Sequence, residues 1–201
     1  MRKTDQVTLT TIIACLIFLA CNSPFTPKPV GYFAIPFPAK KYQLFNLPGY
    51  PYTFEYPVYA NISKDSTFFE QTAENPWWIN INFPSFNGKI YVSYKSIGIN
   101  RFDTLVKQSF ALTGKHTSKA YSIDDSLINT SNGIHGVYFT VGGDVATANQ
   151  FFLTDSANHF FRGALYFDAT PNADSLGIVN QFLMEDVKHL INSFKWRKNQ
   201  P

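Results

Sequence analysis

Residues 149–168, NQFFLTDSANHFFRGALYFD, decide how the rest of this chain can fold. Two aromatic-rich runs flank Asp155-Ser156-Ala157-Asn158, four residue types that favour turns, so the stretch reads as a β-hairpin. In the second run Phe161, Leu165 and Phe167 project to one side, while Phe160, Ala164 and Tyr166 project to the other. A strand that is apolar on both sides belongs in the middle of a sheet covered on both faces. Arg162 is the exception, and among those aromatics it needs an anion or water. The expected partner is an internal carboxylate, from Asp155, Asp168, Glu55 or Asp144, because a lone buried charge is costly. The other reading makes Arg162 an anchor for an external anion or for a partner's carboxylate.

Working outward, the alternation of Tyr52, Phe54, Tyr56, Val58 and Ala60 predicts a first strand over 52–62. Pro57 cannot donate a ladder bond, which places that strand at an edge or at a bulge. Trp77, Ile79, Ile81 and Phe83 predict a second strand. An Asn87-Gly88 turn then leads to a third, with Ile90, Val92 and Tyr94 inward. Asn100 has the character of a helix cap, with Asp103 three residues on, and Phe102, Leu105, Val106, Ser109 and Phe110 follow at helical spacing up to Gly114. A short irregular strand pair is expected over 120–130, and a strand over 134–141. The last element is a helix from about Asp174, with Leu176, Val179, Leu183, Val187, Leu190 and Phe194 on one face. Strands, helix, strands, helix without βαβ alternation give an α+β domain. It has a mainly antiparallel β-sheet with two principal helices packed on it. That layout resembles the α/β/α sandwich of the PsbP and Mog1 proteins, a likeness of fold that carries no activity.

The N-terminus bears on compartment. Arg2 and Lys3 precede an apolar stretch, Val7 to Ala20, that ends in Leu19-Ala20-Cys21, the anatomy of a bacterial lipoprotein signal. Cys21 is the expected acylated residue, since Cys15 sits inside the apolar run; Phe18 departs from the usual Leu three residues before the cysteine. The competing reading, an uncleaved membrane anchor, meets a stretch too short and interrupted by Thr8, Thr10 and Thr11. Cleavage removes Cys15 and acylation uses Cys21, so no disulfide is expected. Losing Arg2, Lys3 and Asp5 brings a chain of net charge +3 closer to neutral, and nucleic acid is not an expected partner. The organisation is therefore 1–20 signal peptide, 21–50 a Pro- and aromatic-rich tether or arm, 51–196 one α+β domain, and 197–201 a basic tail. Eight of the 12 prolines lie between Pro24 and Pro57, yet the arm also carries Tyr32, Phe33, Phe37 and Tyr42. Isolated aromatics in water are an aggregation hazard, so the arm is expected to dock as ordered coil. Those four aromatics are the candidate partner contacts, set against the alternative that they patch the domain's own core.

No constellation carries chemistry. Asp155, Ser156 and His159 are triad residue types, but within one tight turn they read as turn formers. His116, His135, His159 and His189 lack metal-ligand spacing, Gly142-Gly143 lacks a phosphate-loop context, and Asp124-Asp125 lacks the alternating oxygens of a calcium loop. No catalytic residue, metal site or cofactor is expected.

Several motifs occur in a telling order. They are Lys28-Pro29-x-Gly31-Tyr32, Pro51-Tyr52-x-Phe54-Glu55-Tyr56, Trp78-Ile79-Asn80-Ile81, Leu112-Thr113-x-Lys115-His116 and Lys119-Ala120-Tyr121-Ser122-Ile123. Leu153-Thr154-Asp155-Ser156, His159-Phe160-x-Arg162-Gly163-Ala164-Leu165-Tyr166-Phe167 and Trp196 complete the set. This ordered set resembles the gliding-motility lipoprotein GldD family of Bacteroidota. The resemblance implies a lipid-anchored cell-envelope protein facing the periplasm, held in the membrane through acylated Cys21. It further implies a non-enzymatic assembly or interaction factor that supports gliding and type IX secretion, with other envelope proteins of that machinery as partners. The alternative is a periplasmic hydrolase acting on cell-wall or glycan material through distant residues. Triplets such as Asp125-Ser126-Leu127 resemble the O-glycosylation sequon of the same bacteria, although Asp-Ser also marks turns and caps.

Overall fold

A computed structural model describes residues 35–65, 67–68 and 71–197. The hairpin that opens the sequence argument forms as strands β10 (Asn149–Thr154) and β11 (His159–Phe167), paired from Asn149 opposite Leu165 to Thr154 opposite Phe160. In chain order the strands before them are β1 (Tyr42–Phe45), β2 (Tyr52–Pro57), β3 (Asn61–Lys64), β4 (Thr67–Phe68), β5 (Gln71–Thr72), β6 (Ile79–Phe83), β7 (Gly88–Ser96), β8 (Ala120–Asn129) and β9 (His135–Gly143). Helix α1 spans Phe102–Gly114 and helix α2 Ala173–Ser193, and strand β12 (Lys195–Trp196) follows. The main sheet has the order β3-β6-β7-β11-β10-β9-β8, and every ladder is antiparallel, so β11 lies at its centre. The class is α+β, with one helix on each face.

Each face is built by the period-2 alternation. Phe151, Leu153, Phe161 and Leu165, with Ile79, Ile81, Ile90, Val92 and Tyr94, face α2 and its stripe Val179, Leu183, Val187 and Leu190. Gly163 leaves the space that the Phe151 ring occupies across the hairpin, and a Cβ there would strike that ring. The opposite face sets Val137, Phe139, Phe152 and Phe160 against Leu105 of α1.

Five local expectations are corrected. The strand expected over 52–62 is two strands in two sheets. Pro57 ends β2, the chain turns at 58–60 with the Ala60 N–H donating to the Pro57 carbonyl, and β3 then joins the edge of the main sheet. Nor is β2 an edge strand, because β1 from the arm pairs on one side of it and β12 on the other. The arm is thus partly strand, beyond ordered coil. Asn100 does not cap α1; Arg101 takes that position without a side-chain cap, while the Asn100 amide donates to the Ser96 carbonyl. The region over 120–130 is one long strand, β8, with an irregularity between Ala120 and Ser122.

Candidate functional site

Of the residues expected to meet a partner, Cys21, Tyr32 and Phe33 lie outside the described residues. Phe37 and Tyr42 are packed on the domain itself. The Phe37 ring stacks on Phe182 of α2 at 4.4 Å between centroids, and Tyr42 stacks on His189 at 3.5 Å. These contacts lead to a residue that sequence reasoning missed. Asp186 sits within the apolar stripe of α2, and its side chain is 1% exposed. Lys40 Nζ lies 2.8 Å from its Oδ1, the Tyr42 hydroxyl donates to Oδ1 at 3.0 Å, and the Tyr59 hydroxyl donates to Oδ2 at 2.5 Å. Lys40 also donates to the Phe182 carbonyl at 2.7 Å and lies over that ring. Burial, then the nearby Asp186 charge and its hydrogen bond, push the Tyr42 hydroxyl up to about 12. Tyr59 is shifted the same way by the same causes. A carboxylate interrupting the run Leu183, Val187 and Leu190 was the available signal for this clamp.

The other side of the sheet holds the opposite sign. Arg162 is partly buried on the α1 face of β11 and meets none of the four carboxylates expected for it. Asp155 binds its own turn, Glu55 pairs with His189 at 2.7 Å, and Asp144 accepts from the Ala173 N–H at 2.7 Å. Among the described residues, the guanidinium donates to the neutral Gln150 Oε1, at 2.6 Å. The same oxygen accepts from Thr113 Oγ1 at 3.3 Å, and the buried Gln150 Nε2 has no partner. Beside Arg162, between α1 and the sheet, is a cavity of about 100 Å3. Burial lowers the His116 imidazole, and the charge of Arg162 lowers it further.

The turn at 155–158 is not assembled as a triad. Asp155 Oδ1 accepts the N–H groups of Ala157, Asn158 and His159 at 3.1, 2.8 and 2.8 Å. Burial alone would raise that carboxyl, but these three donors hold it below its ordinary value. His159 Nδ1 is 2.6 Å from the Tyr94 hydroxyl, and its ring stacks on Trp196. Among the described residues no three His, Cys, Asp or Glu side chains stand together as a metal site, and no helix is long and apolar enough to cross a membrane.

The longest open edge among the described residues is β8. Strand β8 ends the main sheet, and among the described residues nothing pairs with its outer side. Tyr121 is 82% exposed and Leu127 85%, with Asp124, Asp125 and Ser126 between them also exposed. The alternation in β8 is too weak to have marked it, because neither side of the strand is well covered.

No curated protein matches the chain. Among solved structures it is similar to the solution structure of cyanobacterial PsbP from Synechocystis sp. PCC 6803. Identity is 12% and the TM-score 0.44, over 84% of this chain and 99% of that one. The model of the family described as gliding motility lipoprotein GldD matches residues 22–196. The ordered motifs from Lys28 to Trp196 fall inside that match, and the chain belongs to the gliding motility lipoprotein GldD family.

Proposed function

We propose that this gliding motility lipoprotein is a non-enzymatic interaction factor of the gliding and type IX secretion machinery, tethered through acylated Cys21, and that it binds an extended segment of another envelope protein along β8. The observation that carries this reading is the ten-residue edge Ala120–Asn129, unpaired on its outer side among the described residues. An unpaired strand of that length offers a row of backbone donors and acceptors to an added strand, and Tyr121 and Leu127 supply side-chain contacts. Native edges are usually blunted by charge, Pro, a bulge or a covering loop; β8 has an irregularity at Ala120–Ser122 and the pair Asp124-Asp125, but contains neither Pro nor Lys, and its Ser126–Asn129 end carries no charge. Asp124 and Asp125 favour a partner segment with basic side chains. The tether reading draws on the family match, which begins one residue after Cys21.

Site-specific photo-cross-linking in gliding cells tests the surface. A photoreactive residue at position 127 or 121 is expected to trap a second envelope protein, whereas one at Leu44 on the outer strand of the arm sheet is not. Cross-links from position 44 and none from β8 would move the interface to the arm.

A further inference from the structure

We propose that the cavity between α1 and the main sheet is a binding site for the carboxylate of a short-chain organic acid, with Arg162 as the anion anchor. The case begins with donor and acceptor counts. A guanidinium carries five N–H donors and no acceptor, and one amide oxygen cannot satisfy it. That oxygen, Gln150 Oε1, already receives both Arg162 and Thr113, while Gln150 Nε2 is a further buried donor without an acceptor. Gln150 and Thr113 do not line the cavity, so the donors that face it beside α1 are those of Arg162, and a ligand that meets them must be an acceptor.

Charge gives the same sign. Among the described residues, no Asp or Glu lines the cavity, and the cations there are Arg162 and Lys95. Lys95 is bridged to Glu74, so Arg162 is the charge left without a counterion. A partly buried charge among apolar groups is ordinarily paired, and an Arg that faces a cavity without an internal counterion among the described residues is what a site built for an external anion looks like.

Size and lining narrow the class. The volume of about 100 Å3 is roughly that of three waters. Leu105, Leu112 and Phe160 form an apolar wall beside the guanidinium. A planar carboxylate matches the Arg fork with two parallel hydrogen bonds, and a tail of a few carbons fits the wall. A phosphate would bring a larger charge to one uncompensated cation and would leave that wall unused. Exposed Gln108 and Leu112 on α1 form the entrance. Nothing in this site depends on the β8 edge, so the two proposals stand or fall separately.

The test uses the full lipidated chain in detergent, titrated calorimetrically with sodium butyrate against sodium chloride at equal ionic strength, and with sodium phosphate in parallel. Wild type is expected to show saturable butyrate binding and a higher melting temperature at saturation. Arg162→Met, which keeps the stem's bulk, should stay folded and bind at least about tenfold more weakly. Leu112→Trp, at the entrance, should close the cavity without touching the guanidinium. The proposal is overturned if wild type shows no saturable response to butyrate, or if Arg162→Met binds as wild type does. Phosphate binding in place of butyrate would also overturn the acid assignment. If Arg162→Met does not fold, Leu112→Trp decides, and undiminished butyrate binding by that variant sinks the idea.

Discussion

Asp186 and Arg162 lie on opposite faces of one sheet, and the protein treats them differently. Asp186 is enclosed by an ammonium and two phenol hydroxyls from the arm and from the turn after β2. Arg162 receives one neutral amide oxygen. Both sites cost desolvation, but only the first answers it with groups of its own chain. A satisfied buried charge fixes the geometry of what surrounds it, here the seating of residues 37–45 on α2. An unsatisfied one keeps an unused capacity to bind. The difference separates a structural clamp from a candidate site, although both residues are charges set in apolar surroundings.

Breaking the clamp should give the largest effect. Asp186→Ala leaves two tyrosine hydroxyls and Lys40 without their shared acceptor, and breaking a buried pair costs about 3–5 kcal/mol. Lys40 is partly exposed and can turn to water, so a loss near 3 kcal/mol is expected, read from denaturant unfolding. A loss under about 1 kcal/mol would show that the arm is held by ring packing alone.

The clamp also has a pH signature. Burial first, then Asp186, raises Tyr42 from 10.0 to about 12 in the folded state. A group raised on folding contributes fully below its unfolded value and loses that contribution as pH rises through the folded one. Stability from Tyr42 should therefore be complete below pH 10 and decline toward pH 12. Absorbance at the tyrosinate band should show this late ionisation together with release of the arm. In Asp186→Asn the ionisation should return toward the ordinary range, and an unchanged titration would disconnect Tyr42 from Asp186.

The same contrast explains what could be read in advance. The central hairpin and the face of α2 follow from period 2 and period 3.6, because those residues are buried wherever the partner lies. Arg162 stood out as a charge among aromatics, but its partner could not be read, since that depends on which side chains the register brings beside it. The Asp186 clamp joins Lys40, Tyr42 and Tyr59 to a carboxylate at least 127 positions away, and no local pattern in the arm encodes that meeting. Tyr42 and Phe37 looked like interface residues for the same reason that they are core residues. Large aromatic area serves either use, and composition does not choose between them. The β8 edge was obscured because a strand covered on neither side has no sharp alternation.

Arg162→Met sharpens the comparison from the other side, with a smaller effect of opposite sign. Arg162 has no internal counterion among the described residues, so an apolar chain of similar bulk strands no buried carboxylate, and stability is expected to stay within about 1 kcal/mol of wild type or to rise. The variant should therefore unfold at the same or higher denaturant concentration than wild type. A loss on the order of 3 kcal/mol would mean that Arg162 is paired within the protein and would return it to the structural class with Asp186.

The smallest effect on stability is expected at β8, and there the functional consequence should be greatest. Leu127 is 85% exposed, so its side chain contributes little to the core, and Leu127→Lys should change stability by no more than about 0.5 kcal/mol. A lysine on an edge strand nevertheless obstructs the approach of another strand, because its charge must be desolvated as the new ladder closes. If β8 receives a partner segment, the variant should be present in membranes at normal abundance, melt as wild type does, and fail to support gliding. Leu127→Thr, which keeps strand propensity without the charge, should retain much of the activity. A Leu127→Lys strain that glides normally would remove β8 from the interaction surface, leaving the exposed Leu44 and Leu47 of the arm as the next surface to change.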